Sequence, residues 1–94
     1  MIVGAVVQQP DERLDYDIKY TEWFNGEGDA IDSAVVEVVG AGSLTSQAVI
    51  SDAETIKLWV LGGDAGEEYT LELTMTSVSG RIKQDELIVK IEDF

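Results

Sequence analysis

Alternation of side chains with a period of two is the feature that most limits how this sequence can fold. The clearest segments are Leu14–Tyr20, Ile56–Leu61, Tyr69–Thr76 and Leu87–Glu92. Successive side chains of a β-strand point to opposite faces of a sheet, so this spacing places one apolar set on one face. The pattern predicts four half-buried β-strands.

Two further segments are less regular but also favour strands. Ile31–Val39 is rich in β-branched residues. Glu37 sets its register, because burying an unpaired carboxylate is costly, and Val36 and Val38 are then expected to face inward. Leu44–Ile50 is a weaker strand bounded by glycine- and serine-bearing segments.

Short glycine-bearing turns connect the later strands. Gly62–Gly66 and Ser77–Arg81 are short enough to join sequence neighbours in antiparallel pairs, and no window shows the apolar periodicity of a helix. Trp23–Asp32 is predicted to be a loop, with Trp23 and Phe24 closing one end of the fold. We predict an all-β domain over residues 10–94, a single immunoglobulin-like antiparallel β-sandwich of about seven strands.

Residues 1–7 are apolar, Gln8 and Gln9 end this run, and the only proline, Pro10, follows. We expect residues 1–9 to form an N-terminal arm outside the sandwich core, mobile or loosely paired at a sheet edge. The segment lacks the basic start of a signal peptide and is shorter than the roughly 20 residues of a membrane-spanning helix. Its candidate protein-contact residues are Ile2, Val3, Val6 and Val7.

Composition removes most catalytic chemistry. The chain of 94 residues has no cysteine and no histidine, which excludes disulfides, thiol nucleophiles, thiolate zinc sites and histidine-based triads. We therefore assign no catalytic residue and no cofactor. The net charge of −13 repels phosphate backbones and anionic lipids, so neither nucleic acid nor a membrane is expected as a partner. Repulsion among the acids is expected to raise the pKa of some carboxyls.

Two acidic groups invite a chemical interpretation. Glu27, Asp29 and Asp32 offer the oxygen ligands that calcium prefers, but without EF-hand spacing, so they are weak calcium candidates and a solvated loop is preferred. Asp15 and Asp17 share a strand face and could be paired with another acid, as in a glycosidase. A domain this small has little core with which to build the required cleft, so we interpret them as solvated charges.

Trp59 is the main candidate for a binding residue. If Ile56, Leu58 and Val60 face inward, Trp59 and Leu61 face outward. An exposed indole can anchor a protein contact because its burial supplies a large area with little loss of entropy. Equally, a loop or the N-terminal segment could cover it within the same chain.

A series of short motifs carries a family resemblance over residues 10–92. In order they are Pro10-Asp11-Glu12, Leu14-Asp15-Tyr16, Gly28-Asp29, Trp59, Gly62-Gly63, Ala65-Gly66, Tyr69-Thr70-Leu71 and Gly80-Arg81. Their order and spacing resemble a family of small tailed-phage virion proteins, the fibre-to-tail adaptors, which are immunoglobulin-like β-domains of about this length.

The resemblance implies a non-enzymatic virion protein, assembled in the host bacterial cytoplasm, that docks tail or neck to fibre or other structural proteins. The implied partners are other virion structural proteins, and a second copy of the chain is a further candidate. Two alternatives stay open: an immunoglobulin-like domain of a bacterial surface or adhesive protein, and a small calcium-dependent binding module.

The alternation itself is testable, because it predicts Leu71 and Val89 in the core on paired or facing strands. Replacing Leu71 with alanine should lower the free energy of unfolding by about 2–4 kcal/mol, since it leaves a cavity. Urea denaturation measures this change. A loss below about 0.5 kcal/mol would move Leu71 to the surface and shift the register by one residue.

Overall fold

The structure is a computed structural model that describes residues 1–93. Over these residues the chain forms seven β-strands and one short helix. In chain order they are β1 (Ile2–Gln8), β2 (Arg13–Lys19), α1 (Thr21–Phe24), β3 (Ile31–Val39), β4 (Thr45–Asp52), β5 (Thr55–Leu61), β6 (Glu68–Ser77) and β7 (Ile82–Ile91).

The strands form two sheets packed face to face. One sheet has four strands in the order β1-β7-β6-β3, and the other has three in the order β2-β5-β4. Every pair is antiparallel except β1 with β7, which is parallel. The predicted all-β sandwich is confirmed, and the more specific immunoglobulin-like assignment stays a prediction.

The core lies between the sheets and is supplied mainly by the inward residues of β5, β6 and β7. Leu71 and Val89 are both fully buried, on the paired strands β6 and β7, as the alternation predicts. Val36 and Val38 of β3 also face the core, whereas Glu37 is exposed, so the register predicted for that strand is correct.

The first segment differs from the arm expected of it. Ile2–Gln8 is strand β1, the edge strand of the four-stranded sheet, and it pairs with β7 from Ile2 opposite Glu86 to Gln8 opposite Ile91. Val6 packs against the core. Pro10 lies in the turn that follows, where it ends the strand without separating the segment from the sandwich.

Gln8 explains why this edge strand is held firmly. Its side chain is buried, and its amide nitrogen donates to the carbonyl oxygens of Glu12 at 2.8 Å and Val60 at 3.0 Å. Its amide oxygen accepts a bond from the Tyr16 hydroxyl at 2.9 Å. One side chain of β1 therefore links the four-stranded sheet to β2 and β5 of the other sheet.

Helix α1 lies where the sequence predicts a loop. It is a single turn whose last residue is Phe24. The N–H of the C-cap residue Asn25 donates to the carbonyl of Thr21, and the left-handed backbone of Asn25 (φ 51°) then ends the helix. Four residues are too few to show an apolar periodicity. Phe24 is buried in the core, as expected for a residue that closes the fold, while Trp23 is only half-buried beside it. No helix formed by residues 1–93 has the length and apolar character needed to span a membrane.

Gln8 provides a test of the link between the sheets. Gln8→Ala should lower the free energy of unfolding by about 1–3 kcal/mol, because buried hydrogen-bonding groups lose their partner. Gln9→Ala is the matched control and should change it by less than about 0.5 kcal/mol. Urea denaturation of both variants is the measurement, and equal stabilities would mean that Gln8 does not hold β1 in place.

Candidate protein-binding surface

Trp59 lies on the outer face of the three-stranded sheet. It is opposite Asp15 of β2 and Gln47 of β4, while Leu58 and Val60, its neighbours in the chain, are fully buried. The indole is half-buried, and neighbouring Leu61 is 46% exposed. The alternation therefore gave the correct face for Trp59, and β1, which belongs to the other sheet, does not cover the indole.

Arg13 completes the surroundings of the indole. Its guanidinium carbon lies 4.0 Å from the centroid of the Trp59 ring, a cation–π contact. Beside this pair is an open groove of about 280 Å³. The groove is lined by Arg13, Thr45, Ser46, Gln47, Trp59 and Leu61. It thus combines an aromatic wall, an aliphatic side chain and several hydrogen-bonding groups. We call these six residues the Trp59 groove.

The charges beside the groove are paired. The ammonium group of Lys57 donates to Asp15 at 2.7 Å and to Asp17 at 3.0 Å. The bond from Lys57 lowers the pKa of the Asp15 carboxyl, and the bonds to Asp15 and Asp17 raise the pKa of Lys57. A glycosidase general acid needs a raised pKa, so the direction of the shift at Asp15 argues against that role for Asp15.

The candidate contact residues of β1 lie on the other sheet. Ile2, Val3 and Val7 are exposed, but Val6 packs against the core and is not available for contact. The two groups of candidates predicted from the sequence therefore belong to different sheets. Val6 was expected at the surface because its segment was expected to be an arm, whereas pairing with β7 turns it inward.

The weak calcium candidates do not converge. Asp29 has a side chain only 5% exposed and accepts bonds from the Arg81 guanidinium at 3.0 and 3.2 Å. Glu27 lies 3.5 Å from the same guanidinium, and Asp32 is exposed on β3. Within residues 1–93 no group of three or more acidic side chains could hold a metal ion. The positive charge beside Glu27 and Asp29 therefore comes from Arg81, where the sequence suggested a calcium ion.

Asp29 also organises the neighbouring turn. Its carboxylate accepts bonds from the Ser79 hydroxyl at 2.6 Å, the Ser79 N–H at 3.1 Å and the Ala30 N–H at 2.9 Å. These donors, the Ser79 hydroxyl foremost, hold the pKa of Asp29 far below its ordinary value of 3.8. The downward shifts at Asp29, Asp15 and Asp52 are opposite to the upward shifts expected from net charge, because local donors outweigh distant repulsion.

Arg81 is the residue that sequence reasoning missed here. Besides binding Asp29, its guanidinium stacks 4.4 Å from the centroid of the Trp23 ring. It thereby joins the loop after α1 to the turn between β6 and β7. The one signal for it was the pair of motifs Gly28-Asp29 and Gly80-Arg81, which are distant in sequence and adjacent in the structure.

A family model covers almost the whole of this sandwich. Residues 8–90 match the family described as podophage GP4 fiber-tail adaptor protein gp77. The chain belongs to this family. Its description is that of a phage structural adaptor and not of an enzyme, and the resemblance found from the motifs is confirmed. No curated protein matches the chain significantly.

Two solved structures are similar to this adaptor-family chain. One is an endo-fucoidan hydrolase, MfFcnA4 from glycoside hydrolase family 107, with a TM-score of 0.52 and 19% identity over 97% of this chain. The chain spans only 12% of that enzyme's length, so the likeness concerns the fold alone. The other, a solution structure of amebosin, has a TM-score of 0.45 and 11% identity, covering 97% of this chain and 96% of that one. The amebosin likeness is too weak to bear on the fold.

The bonds to Asp29 predict a pH dependence of stability. A carboxyl with a depressed pKa in the folded state stabilises the fold above its unfolded pKa, and the contribution is lost as pH falls through the folded pKa. The stability difference between the parent and Asp29→Asn should therefore be constant from about pH 8 to 5 and shrink below 3.8. Denaturant unfolding at each pH gives the difference. Asp32→Asn is the control and should cost less than about 0.5 kcal/mol at neutral pH; a difference unchanged to pH 2 would contradict the assignment.

Proposed function

We propose that the chain is a non-enzymatic adaptor that docks a tail or neck protein to a fibre or another structural protein, with the Trp59 groove as one docking surface. The family match over residues 8–90 supports the role as an adaptor. The Trp59 groove is the observation from which we propose where a partner docks. Such a chain would be assembled into the particle in the host cytoplasm.

The groove has the chemistry of a contact centre. Aromatic residues and arginine are enriched at the centres of protein interfaces, where they account for most of the binding energy. Here Arg13 already holds the indole in place, which limits the entropy that docking would cost. Because Lys57 binds both Asp15 and Asp17, a partner can cover this face without burying a carboxylate that lacks an ion-pair partner.

The remaining surface favours protein partners as well. The net charge of −13 opposes association with nucleic acid or anionic lipid. The exposed side chains of Ile2, Val3 and Val7 on edge strand β1 are a second proposed contact, with another virion protein or with a second copy of this chain.

Incorporation into particles tests the Trp59 groove. A phage lacking its own copy of the gene is complemented with the parent chain or with Trp59→Ala, and the amount of chain in purified particles is measured by quantitative mass spectrometry. We expect Trp59→Ala to weaken docking at least about tenfold, because losing an interface anchor of this kind costs about 2 kcal/mol or more.

Val78→Ala is the matched control, since it truncates an exposed apolar side chain in the β6–β7 turn. It should be incorporated like the parent. Thermal melts first establish that both variants are folded. A folded Trp59→Ala chain present at the parental level would refute the groove as a docking surface.

A further inference from the structure

Three glutamates lie side by side across the outer face of the four-stranded sheet. Glu37 of β3 is directly opposite Glu72 of β6, which is directly opposite Glu86 of β7. Residues opposite each other in antiparallel strands have Cβ atoms about 4.5–5.5 Å apart, and like charges at these positions are destabilising. We call Glu37, Glu72 and Glu86 the glutamate row.

No salt bridge within residues 1–93 involves the glutamate row, and Lys90, which is on the same face of β7 as Glu86, lies opposite Glu68 instead. Among residues 1–93 the salt bridges are made by Lys57, Arg81 and Lys83, and each binds carboxylates elsewhere. On the other sheet the acids beside Trp59 share Lys57. The two outer faces of the sandwich therefore differ: one has paired charges around an indole, and the other has unpaired carboxylates.

Apolar and β-branched side chains border the glutamate row on both sides. On one side they are in register across all four strands: Ala5, Ile88, Thr70 and Val39. On the other side Thr74 of β6 is opposite Val35 of β3. Val35 and Val39 are 59% and 48% exposed. The face thus offers apolar area for contact together with charges that can orient a partner.

We propose that this face binds a protein partner that presents a row of lysine or arginine side chains to the three glutamates. Charge complementarity selects this occupant. A second copy docked through the same face would place glutamate against glutamate, and nucleic acid or anionic lipid has the same sign as the face. Binding such a partner would relieve the repulsion that the free domain carries.

This inference deepens the proposed function by giving the adaptor a further docking surface, on the side of the sandwich away from the Trp59 groove. It rests on the proposed function only for the statement that the partner is a virion protein. The basic chemistry of the partner comes from the glutamate row itself, so it can be tested on the purified chain without particles.

The probe is an eight-residue peptide with blocked ends in which lysine and valine alternate. It is titrated into the ¹⁵N-labelled chain at about 0.15 M salt, where screening suppresses distant attraction. Amide shifts are expected on the central parts of β3, β6 and β7. The triple variant E37Q/E72Q/E86Q should bind the peptide at least about tenfold more weakly, and at low salt it should melt above the parent because the repulsion is gone.

The matched control is the triple variant D11N/E22Q/E67Q, which removes three exposed acids outside this face. Both triple variants change the net charge from −13 to −10. The control should bind the peptide within about twofold of the parent, since long-range attraction alone is screened. This pair separates a specific face from general negative charge.

Several results would overturn the proposal. Equal loss of binding in both triple variants would mean that the peptide senses only net charge, and a lack of amide shifts on this face would mean that no basic strand docks there. A titration with Ca²⁺ that shifts the amides of the glutamate row at micromolar concentration would make the occupant a cation. If E37Q/E72Q/E86Q melts below the parent at low salt, the three glutamates do not destabilise the free domain by repulsion, and the proposal loses its physical basis. None of these outcomes bears on the incorporation of Trp59→Ala, so the two proposals fail separately.

Discussion

Burial of apolar side chains between β5 and the β6–β7 pair is the interaction on which the rest of this domain depends. A chain of 94 residues can bury only roughly 60–65% of its unfolded surface, so it can build one core and no second one. That core takes every second side chain of the central strands, among them Leu58, Leu71 and Val89. The alternate side chains of each strand face outward, and these are the residues with which a small sandwich can bind other proteins.

The few bases of the chain decide how its two outer faces differ. Arg13 and Lys57 lie on the face that carries Trp59, while Arg81 and Lys83 bind carboxylates in the loop after α1 and in β7. Nineteen acids share six bases, so some carboxylates must remain unpaired. Several of these are in register on the four-stranded sheet. Two chemically different faces are what the proposed adaptor needs in order to hold two different proteins.

Arg81 shows how a structural network can resemble a binding site in the sequence. The acidic residues around Gly28 suggested oxygen ligands for a cation, and the structure provides that cation from a residue about 50 positions away. Gly28 and Gly80, with φ values of 77° and 92°, allow the two tight turns that meet there. Spacing within one loop could not reveal this pairing, because the partner is brought in by the pairing of β3 with β6, which places Ile31 opposite Ser77.

The sequence by itself determined strands β2 to β7, the inward faces of the clearest of them and the outward position of Trp59, because a period of two depends only on neighbours in the chain. It also indicated the adaptor family through the order of short motifs. Only the tertiary structure decided that Ile2–Gln8 is an edge strand, since its parallel pairing with β7 joins the two ends of the chain. The same holds for Arg81 on Asp29 and for the alignment of Glu37, Glu72 and Glu86. These contacts depend on sheet order and register, which are set by the packing of the whole domain and leave no local trace in the sequence.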